Sequence, residues 1–276
     1  MLKSRVYTAF VLLALFFVVL FALPYLGFVV ALVLVFSVAA WEWARLAGFE
    51  QQRQRVVYAL LMLLLMSCSF FFKPQAWLDS AWMRVFFSLA CIGWLLALFC
   101  VCVYPRKKSW NKRMVLAFVG VWLLLPAWMG LLLLKNVAPH GELVLLVIVS
   151  VVCADSGAYF IGKRFGKKKL AVQVSPGKTW AGFWGGLLAS ALLAFCVSAY
   201  LQLSVAAALG FIVTMMLVAA ASVLGDLFES MLKRERGIKD SSHLLPGHGG
   251  VLDRIDGWMA AIPFFTLMLL ELQVSL

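Results

Sequence analysis

Acidic residues are scarce in this chain, with 12 Asp and Glu against 24 Lys and Arg in 276 residues. Charged residues of both signs together make up only 13%. Soluble domains carry about a quarter, so this shortage excludes an ordinary water-soluble fold. Histidine is rarer still: His140, His243 and His248 are the only three. None stands at zinc-finger spacing from a cysteine, and no Ser–His–Asp triad can be argued. His140 falls on the face opposite the other polar residues and is read as inert. The six cysteines all fall in apolar stretches and read as small buried hydrophobes. No soluble domain, internal repeat or low-complexity linker interrupts the chain.

What is present is overwhelmingly apolar, 64% hydrophobic with a mean hydropathy of +1.00. A spanning helix takes roughly 20 mainly apolar residues. Nine stretches qualify: 6–23, 25–43, 56–72, 82–104, 114–134, 142–161, 180–200, 204–224 and 256–273. The ninth is the weakest, with a polar start and Pro263 inside it. The expected fold is therefore an all-α, polytopic integral membrane bundle of about nine helices. Lys3 and Arg5 before an apolar run resemble a signal peptide. No small-residue cleavage site follows, and a second apolar segment begins after Pro24, so the run reads as an uncleaved first span. Residues 1–140 form an anchoring half. Residues 141–276 form a chemical half of the same integral domain, because spans six to nine carry polar groups near their ends.

The net charge of +12 invites a nucleic-acid reading, but the distribution of the bases excludes it. With the N-terminus inside, 21 of the 24 basic residues lie on the cytoplasmic side, leaving Lys73, Arg84 and Lys135 on the other. Such bias predicts an N-in, C-out topology. Attraction to anionic headgroups accounts for much of the excess, including the run 106–113 and Lys167 to Lys169. Trp41, Trp43, Trp77, Trp82, Trp110, Trp180 and Trp258 lie near span ends and read as an interfacial aromatic belt.

Against this background one polar stretch stands out, from Asp226 to Asp256, DLFESMLKRERGIKDSSHLLPGHGGVLDRID. It holds six of the 12 acids, interleaved with five bases and a Gly-rich turn. Carboxylates hold divalent cations, bases hold phosphates, and glycine lets backbone approach a ligand. Ser222, Asp226 and Ser230 stand at i, i+4, i+8 and share a helix face with oxygen ligands for a hard cation. Asp253 and Asp256, at i, i+3, share the first turn of the last helix. Three carboxylates from two helix ends, Asp226, Asp253 and Asp256, would repel each other unless a cation sits between them. In the turn Pro246-Gly247-His248-Gly249-Gly250, the amides of Gly249 and Gly250 suit a phosphate, and His248 suits an acid or base. Upstream, Asp155 is an acid inside a span and so a functional candidate. Ser175-Pro176-Gly177-Lys178-Thr179 looks like a phosphate-binding element, with Ser175, Lys178 and Thr179 as contacts. It is not a Walker A loop, which needs glycine where Val172 stands and a preceding strand.

These residues resemble the phosphatidate cytidylyltransferase (CDP-diacylglycerol synthase) family in its bacterial form. The carrying motif is SMLKRERGIKDSSHLLPGHGGVLDRID, Ser230 to Asp256. ADSGAY at 154–159, SPGKTW at 175–180, SVLGD at 222–226 and AAWEW at 39–43 extend the likeness over nearly the whole chain. The resemblance implies transfer of CMP from CTP to phosphatidic acid, dependence on Mg²⁺, and a homodimer in the bacterial cytoplasmic (inner) membrane with its site facing the cytoplasm. Carried over by motif position, Asp226 and Asp253 are the main metal ligands, with Ser230 and Asp256 beside them. Lys239 and His248 join the two acids as catalytic candidates. Lys178, Lys233, Arg234 and Arg254 are candidate phosphate contacts. A transporter would place its polar groups near the bilayer midplane and show repeated halves. A CDP-alcohol phosphotransferase would carry DG-x-x-AR. Neither pattern is found, and a CTP-using polyprenol kinase is the nearest alternative.

Overall fold

The computed structural model describes residues 2–71, 81–105 and 112–272. Lys73, Trp77, Arg106, Lys107, Lys108 and Trp110, to which the sequence assigned topological roles, lie outside the described residues, as do the ends of the third and ninth expected spans. Nine α-helices follow one another: α1 (Leu2–Phe17), α2 (Tyr25–Ala47), α3 (Gln52–Phe71), α4 (Ala81–Val103), α5 (Arg113–Val137), α6 (Glu142–Phe165), α7 (Trp180–Tyr200), α8 (Val205–Glu235) and α9 (Leu252–Leu272). A π-helical turn at Val18–Ala22 ends the first helix before Pro24. The Lys135 ammonium, buried on α5, donates to the Leu20 carbonyl in that turn at 2.6 Å.

Among the described residues, seven of these helices are long and apolar enough to cross a membrane, α2 through α8. That count covers the described residues only, and the expected first and ninth spans run to its edges. The described apolar part of the first helix is Val6–Ala22. The last helix opens on Asp253, Arg254 and Asp256 and so starts as a polar element. Pro263 does not break it: α9 runs on through that residue, as α5 does through Pro126.

The protein is not purely helical. Lys169–Ala171 (β1) and Ser175–Thr179 (β2) pair as an antiparallel hairpin between α6 and α7, so SPGKT is a strand and not a loop. β2 runs straight into α7, whose first turn is capped by Thr179 accepting from the Gly182 amide at 3.1 Å.

Helices α5 and α9 lie at the centre, packed on α2, α4 and each other, while α6 and α8 pack against α9 and α7 packs on α6 and α8. Between apolar helices in lipid the hydrophobic effect offers little drive, so close backbone approach matters more. The α6–α7 seam is built of small residues for that reason. A Cβ on Gly157, Gly182 or Gly186 would run into the carbonyls of Gly185, Ala158 and Ala154 respectively. Outward positions such as Leu26, Leu96, Leu192 and Phe195 are exposed and apolar, as a lipid-facing surface requires.

Two structural expectations are corrected here. Trp43 is not in an interfacial belt: it is fully buried, and its Nε1 donates to the Leu116 carbonyl at 2.8 Å. Trp82 and Trp180 are exposed, as that belt requires. Among the cysteines, all free, Cys91 alone is buried, and Cys68, Cys102 and Cys196 face outward from apolar helices.

The contact between α8 and α9 is as tight as the α6–α7 seam. A Cβ on Gly225 would strike the Asp256 carbonyl. Gly225→Ala is therefore expected to push the two helices apart at the charged end of the bundle and to cost about 1–3 kcal/mol. Thermal unfolding in detergent would check this, and an unchanged midpoint would show that the seam yields freely.

Candidate active site

α8 has 31 residues, about 46 Å at 1.5 Å per residue. The hydrocarbon layer is about 30 Å thick, so the helix outruns it by roughly three turns. Its C-terminal end, from Asp226 to Glu235, is the polar extension. Because α8 stays helical throughout, Asp226, Glu229, Ser230 and Lys233 keep their i, i+3, i+4, i+7 spacing and fall along one side.

Asp226 is held from two directions. Ser230 Oγ donates to its Oδ1 at 3.0 Å, and Lys178 Nζ lies 2.6 Å from its Oδ2. Lys178 belongs to β2, so this ion pair ties the hairpin to α8. Arg234 adds a longer link, from Nε to the Val174 carbonyl at 3.4 Å. The Asp226 side chain keeps 39% of its surface exposed. Ser222, one turn earlier, is buried and spends its hydroxyl on the Ala219 carbonyl at 2.8 Å, so it does not extend the ligand stripe.

Beside this pair lies a cavity of about 600 Å³ between α6, the hairpin and α7. Asp155, Lys163, Lys169 and Lys178 line its polar part, and Tyr159, Phe183, Leu170 and Val223 its apolar part. Lys163 and Lys169, which the sequence assigned to topology alone, thus share a cavity with Lys178. Ser175 is half-buried on the same hairpin, and Thr179 both lines the cavity and caps α7.

Asp253 stands in the first turn of α9, and protein donors surround it. Lys233 Nζ lies 2.7 Å from Oδ1. The Gly250 amide donates to Oδ2 at 2.8 Å, and the Ser241 amide and hydroxyl do so at 3.0 Å each. These donors favour its charged form. The glycine-rich turn is strained where glycine is needed, with φ of +76° at Gly247 and +79° at Gly249. Of the two amides expected to face a phosphate, that of Gly250 donates to the Asp253 carboxylate instead. Gly250 is buried, and no side chain fits there, because a Cβ would meet Ser241 Oγ and the Glu42 carboxylate.

Charges connect the two acids into one row. Asp155 feels Lys178 and Asp226, and Asp226 in turn repels Asp256. Asp256 adjoins Glu229, a fully buried carboxylate on which neither oxygen has a hydrogen-bond donor. Glu229 Oε1 lies 3.5 Å from Lys233 Nζ, which closes the row at Asp253. Five carboxylates and the ammonium groups of Lys178 and Lys233 therefore form one interacting row, in which neighbouring acids repel each other unless a cation or a proton is held between them. Among the described residues no three His, Cys, Asp or Glu side chains form a ready-made metal cage. The expected Asp226–Asp253–Asp256 trio is not gathered as such, since Asp253 is turned toward Lys233 and the loop.

The remaining sequence candidates do not line the cavity. Lys239, Arg234 and Arg254 are exposed. His248 is half-buried, its Nδ1 shielded from solvent without a hydrogen-bond partner. Sequence reasoning did not single out Glu42, Ser241 or Ser242, which are buried directly behind Asp253. The rule that flagged Asp155, an acid within an apolar span, applies equally to Glu42 and is the signal that could have found it.

Residues 3–272 match the Cytidylyltransferase family. The chain is 47% identical over 270 residues to the phosphatidate cytidylyltransferase of Pseudomonas aeruginosa, covering 98% of this chain and 97% of that one. It is 41% identical over 284 residues to the enzyme of the same name from Haemophilus influenzae, covering 96% and 98% of the two chains.

Proposed function

The chain belongs to the cytidylyltransferase family, and from that membership we propose that it transfers CMP from CTP to phosphatidic acid, yielding CDP-diacylglycerol and pyrophosphate. The phosphate of the lipid is itself the nucleophile, so the site needs no activated Ser, Cys or Lys. One lipid phosphate oxygen forms a bond to the α-phosphorus of CTP, and the bond from that phosphorus to the bridging oxygen of the β-phosphate breaks. The electron pair leaves with pyrophosphate. Catalysis then reduces to holding two anionic phosphates in line and offsetting their charge.

The observation that carries this reading is the Lys178–Asp226 pair at the wall of the half-apolar cavity. It sets a base and a half-exposed acid side by side where a phosphate headgroup with a greasy remainder would fit. Lys163, Lys169 and Lys178 hold phosphate oxygens, and the apolar wall receives the glycerol end of the lipid. Mg²⁺ binds through one or two carboxylates plus substrate phosphates more often than in an all-protein cage. Asp226 and Asp256, with the donor-free Glu229 behind them, fit that donor set. When bound there, the ion would neutralise phosphate oxygens. Asp253 could ligate it only by giving up Lys233, so in this reading Asp253 chiefly holds Lys233 and the loop in place. Lys239, Arg234, Arg254 and His248 are left to meet the pyrophosphate end of CTP.

The same proposal includes a cytoplasmic-facing site in the bacterial inner membrane and a homodimer. The positive-inside bias supports the orientation. So does the gathering of α2, α8, α9 and hairpin ends at one end of the bundle, through Arg45 to the Ser241 carbonyl and Arg236 to the carbonyls of Leu46 and Ala47.

Purified protein in detergent, given phosphatidic acid, Mg²⁺ and CTP labelled on the α-phosphate, is expected to move label into the lipid fraction. Label on the γ-phosphate should leave as pyrophosphate. Label from the γ-phosphate entering a polyprenol, with CDP released, would instead make the protein a lipid kinase and overturn the proposal.

A further inference from the structure

We infer that Glu42 is a positioning residue for this reaction, fixing Asp253 and Lys233 through Ser241 and the first turn of α9; the inference deepens the proposed function and rests on it. Glu42 lies near the C-terminal end of α2, fully buried, about 200 positions away from everything it binds. Four donors converge on it. Ser242 Oγ and the Val251 amide donate to Oε1, the latter at 3.1 Å. The Leu252 amide donates to Oε2 at 2.6 Å, and Ser241 Oγ lies 3.2 Å from the same atom. Val251 and Leu252 open α9, so Glu42 caps that helix from a different helix and does the work that a capping side chain in the loop would otherwise do.

Ser241 is the link to the reacting centre. Its hydroxyl stands between Glu42 Oε2 and Asp253 Oδ2, at 3.2 Å and 3.0 Å, and its amide also donates to Asp253. A hydroxyl has one proton, so it serves one carboxylate at a time and holds the two acids at a fixed spacing. Gly250 completes the fit, since its lack of a side chain leaves the space that Glu42 and Ser241 fill. The end of α2 is clamped from the other side as well. Arg45 Nη1 donates to the Ser241 carbonyl at 3.0 Å, and Arg236 Nε and Nη2 donate to the carbonyls of Leu46 and Ala47 at 2.7 Å and 2.9 Å.

A buried carboxylate is a poor way to gain stability, because desolvation offsets most of what its partners return. What it supplies is a single arrangement of the 241–252 loop. Glu42 does not line the cavity, so its effect reaches the chemistry only through Asp253 and Lys233.

The test compares wild type with Glu42→Gln in detergent, by steady-state CDP-lipid formation and by amide hydrogen exchange. Gln keeps the shape but turns an N–H group toward donors. Expected are exchange at least about 10-fold faster, confined to 241–253, and a kcat lower by about 100-fold with the KM for CTP within about threefold of wild type. Unchanged exchange, or a kcat within threefold of wild type, would overturn the inference. So would a loss of activity matched by an equal loss of folded protein. Should Glu42→Gln fail to fold, Ser241→Ala removes only the link. It is expected to lower kcat about 10-fold at unchanged KM, and a wild-type kcat there would overturn the inference too. A wild type that makes no CDP-lipid would sink the proposed function separately, and the exchange comparison then decides the role of Glu42 alone.

Discussion

Asp226→Asn is expected to lower kcat for CDP-lipid formation by two to three orders of magnitude, the size found when one preorganised electrostatic contact is lost from an active site. The substitution is nearly isosteric. Asn can still accept from Ser230, which is 3.0 Å away in the native protein, so the end of α8 keeps its local geometry. What disappears is the negative charge that Lys178 meets at 2.6 Å and that, with Asp256, makes the site attractive to a divalent cation. Lys178 is then free to swing, and the hairpin keeps only the longer Arg234–Val174 link to α8. The Mg²⁺ concentration for half-maximal activity should rise along with the fall in kcat. The Asp226 side chain is 39% exposed, so the unfolding midpoint should stay close to that of wild type. A variant with kcat within tenfold of wild type and an unchanged Mg²⁺ requirement would remove Asp226 from the reacting centre.

How far such a site can be read from sequence depends on the distance over which it is assembled. The helical spacing of Asp226 and Ser230 was legible because one helix carries both, and the structure keeps it. Ser222 obeys the same spacing, yet it is turned inward and bonded to its own helix. Periodicity specifies a face, and only packing decides whether that face meets the site or a neighbour. The SPGKT segment announced phosphate chemistry by composition, but its strand pairing depends on β1, across a turn whose register no local pattern gives. Spans two to eight were legible because hydropathy and length decide them directly. The first ends in a π-helical turn, which hydropathy does not reveal, and the last opens on a charged turn.

The division into an anchoring half and a chemical half shows the same limit. The polar stretch in the C-terminal half is visible at a glance, whereas its support comes from α2. Glu42, Arg45 and the carbonyls of Leu46 and Ala47 reach residues 236–252 across separations of 189 to 210 positions. Sequence proximity could not pair Glu42 with Ser241. Its local signs are an acid placed where a membrane helix rarely carries one and its place in the AAWEW stretch.

The second large effect is expected from Lys233→Met. Lys233 is buried, and its ammonium stands between Asp253 at 2.7 Å and Glu229 at 3.5 Å. Asp253 has other donors, in Ser241 and Gly250, and tolerates the loss in part. Glu229 has none: both oxygens lack a hydrogen-bond partner, and its other neighbour is the Asp256 carboxylate. Removing the one cation near it leaves the buried acids Glu229 and Asp256 side by side with no opposite charge next to Glu229. Breaking such a pair costs about 3–5 kcal/mol, which for a chain of this size lowers the unfolding midpoint by roughly 10 °C. Lys233→Arg keeps the charge and should recover much of that loss. The sharper check is the double variant Lys233→Met with Glu229→Gln, followed by thermal unfolding in detergent. If Glu229 is the stranded group, neutralising it relieves the penalty, and the double variant is more stable than Lys233→Met alone. Strict additivity of the two substitutions would mean that Glu229 and Lys233 do not sense each other. The row of charges from Asp226 to Asp253 would then be two separate sites rather than one.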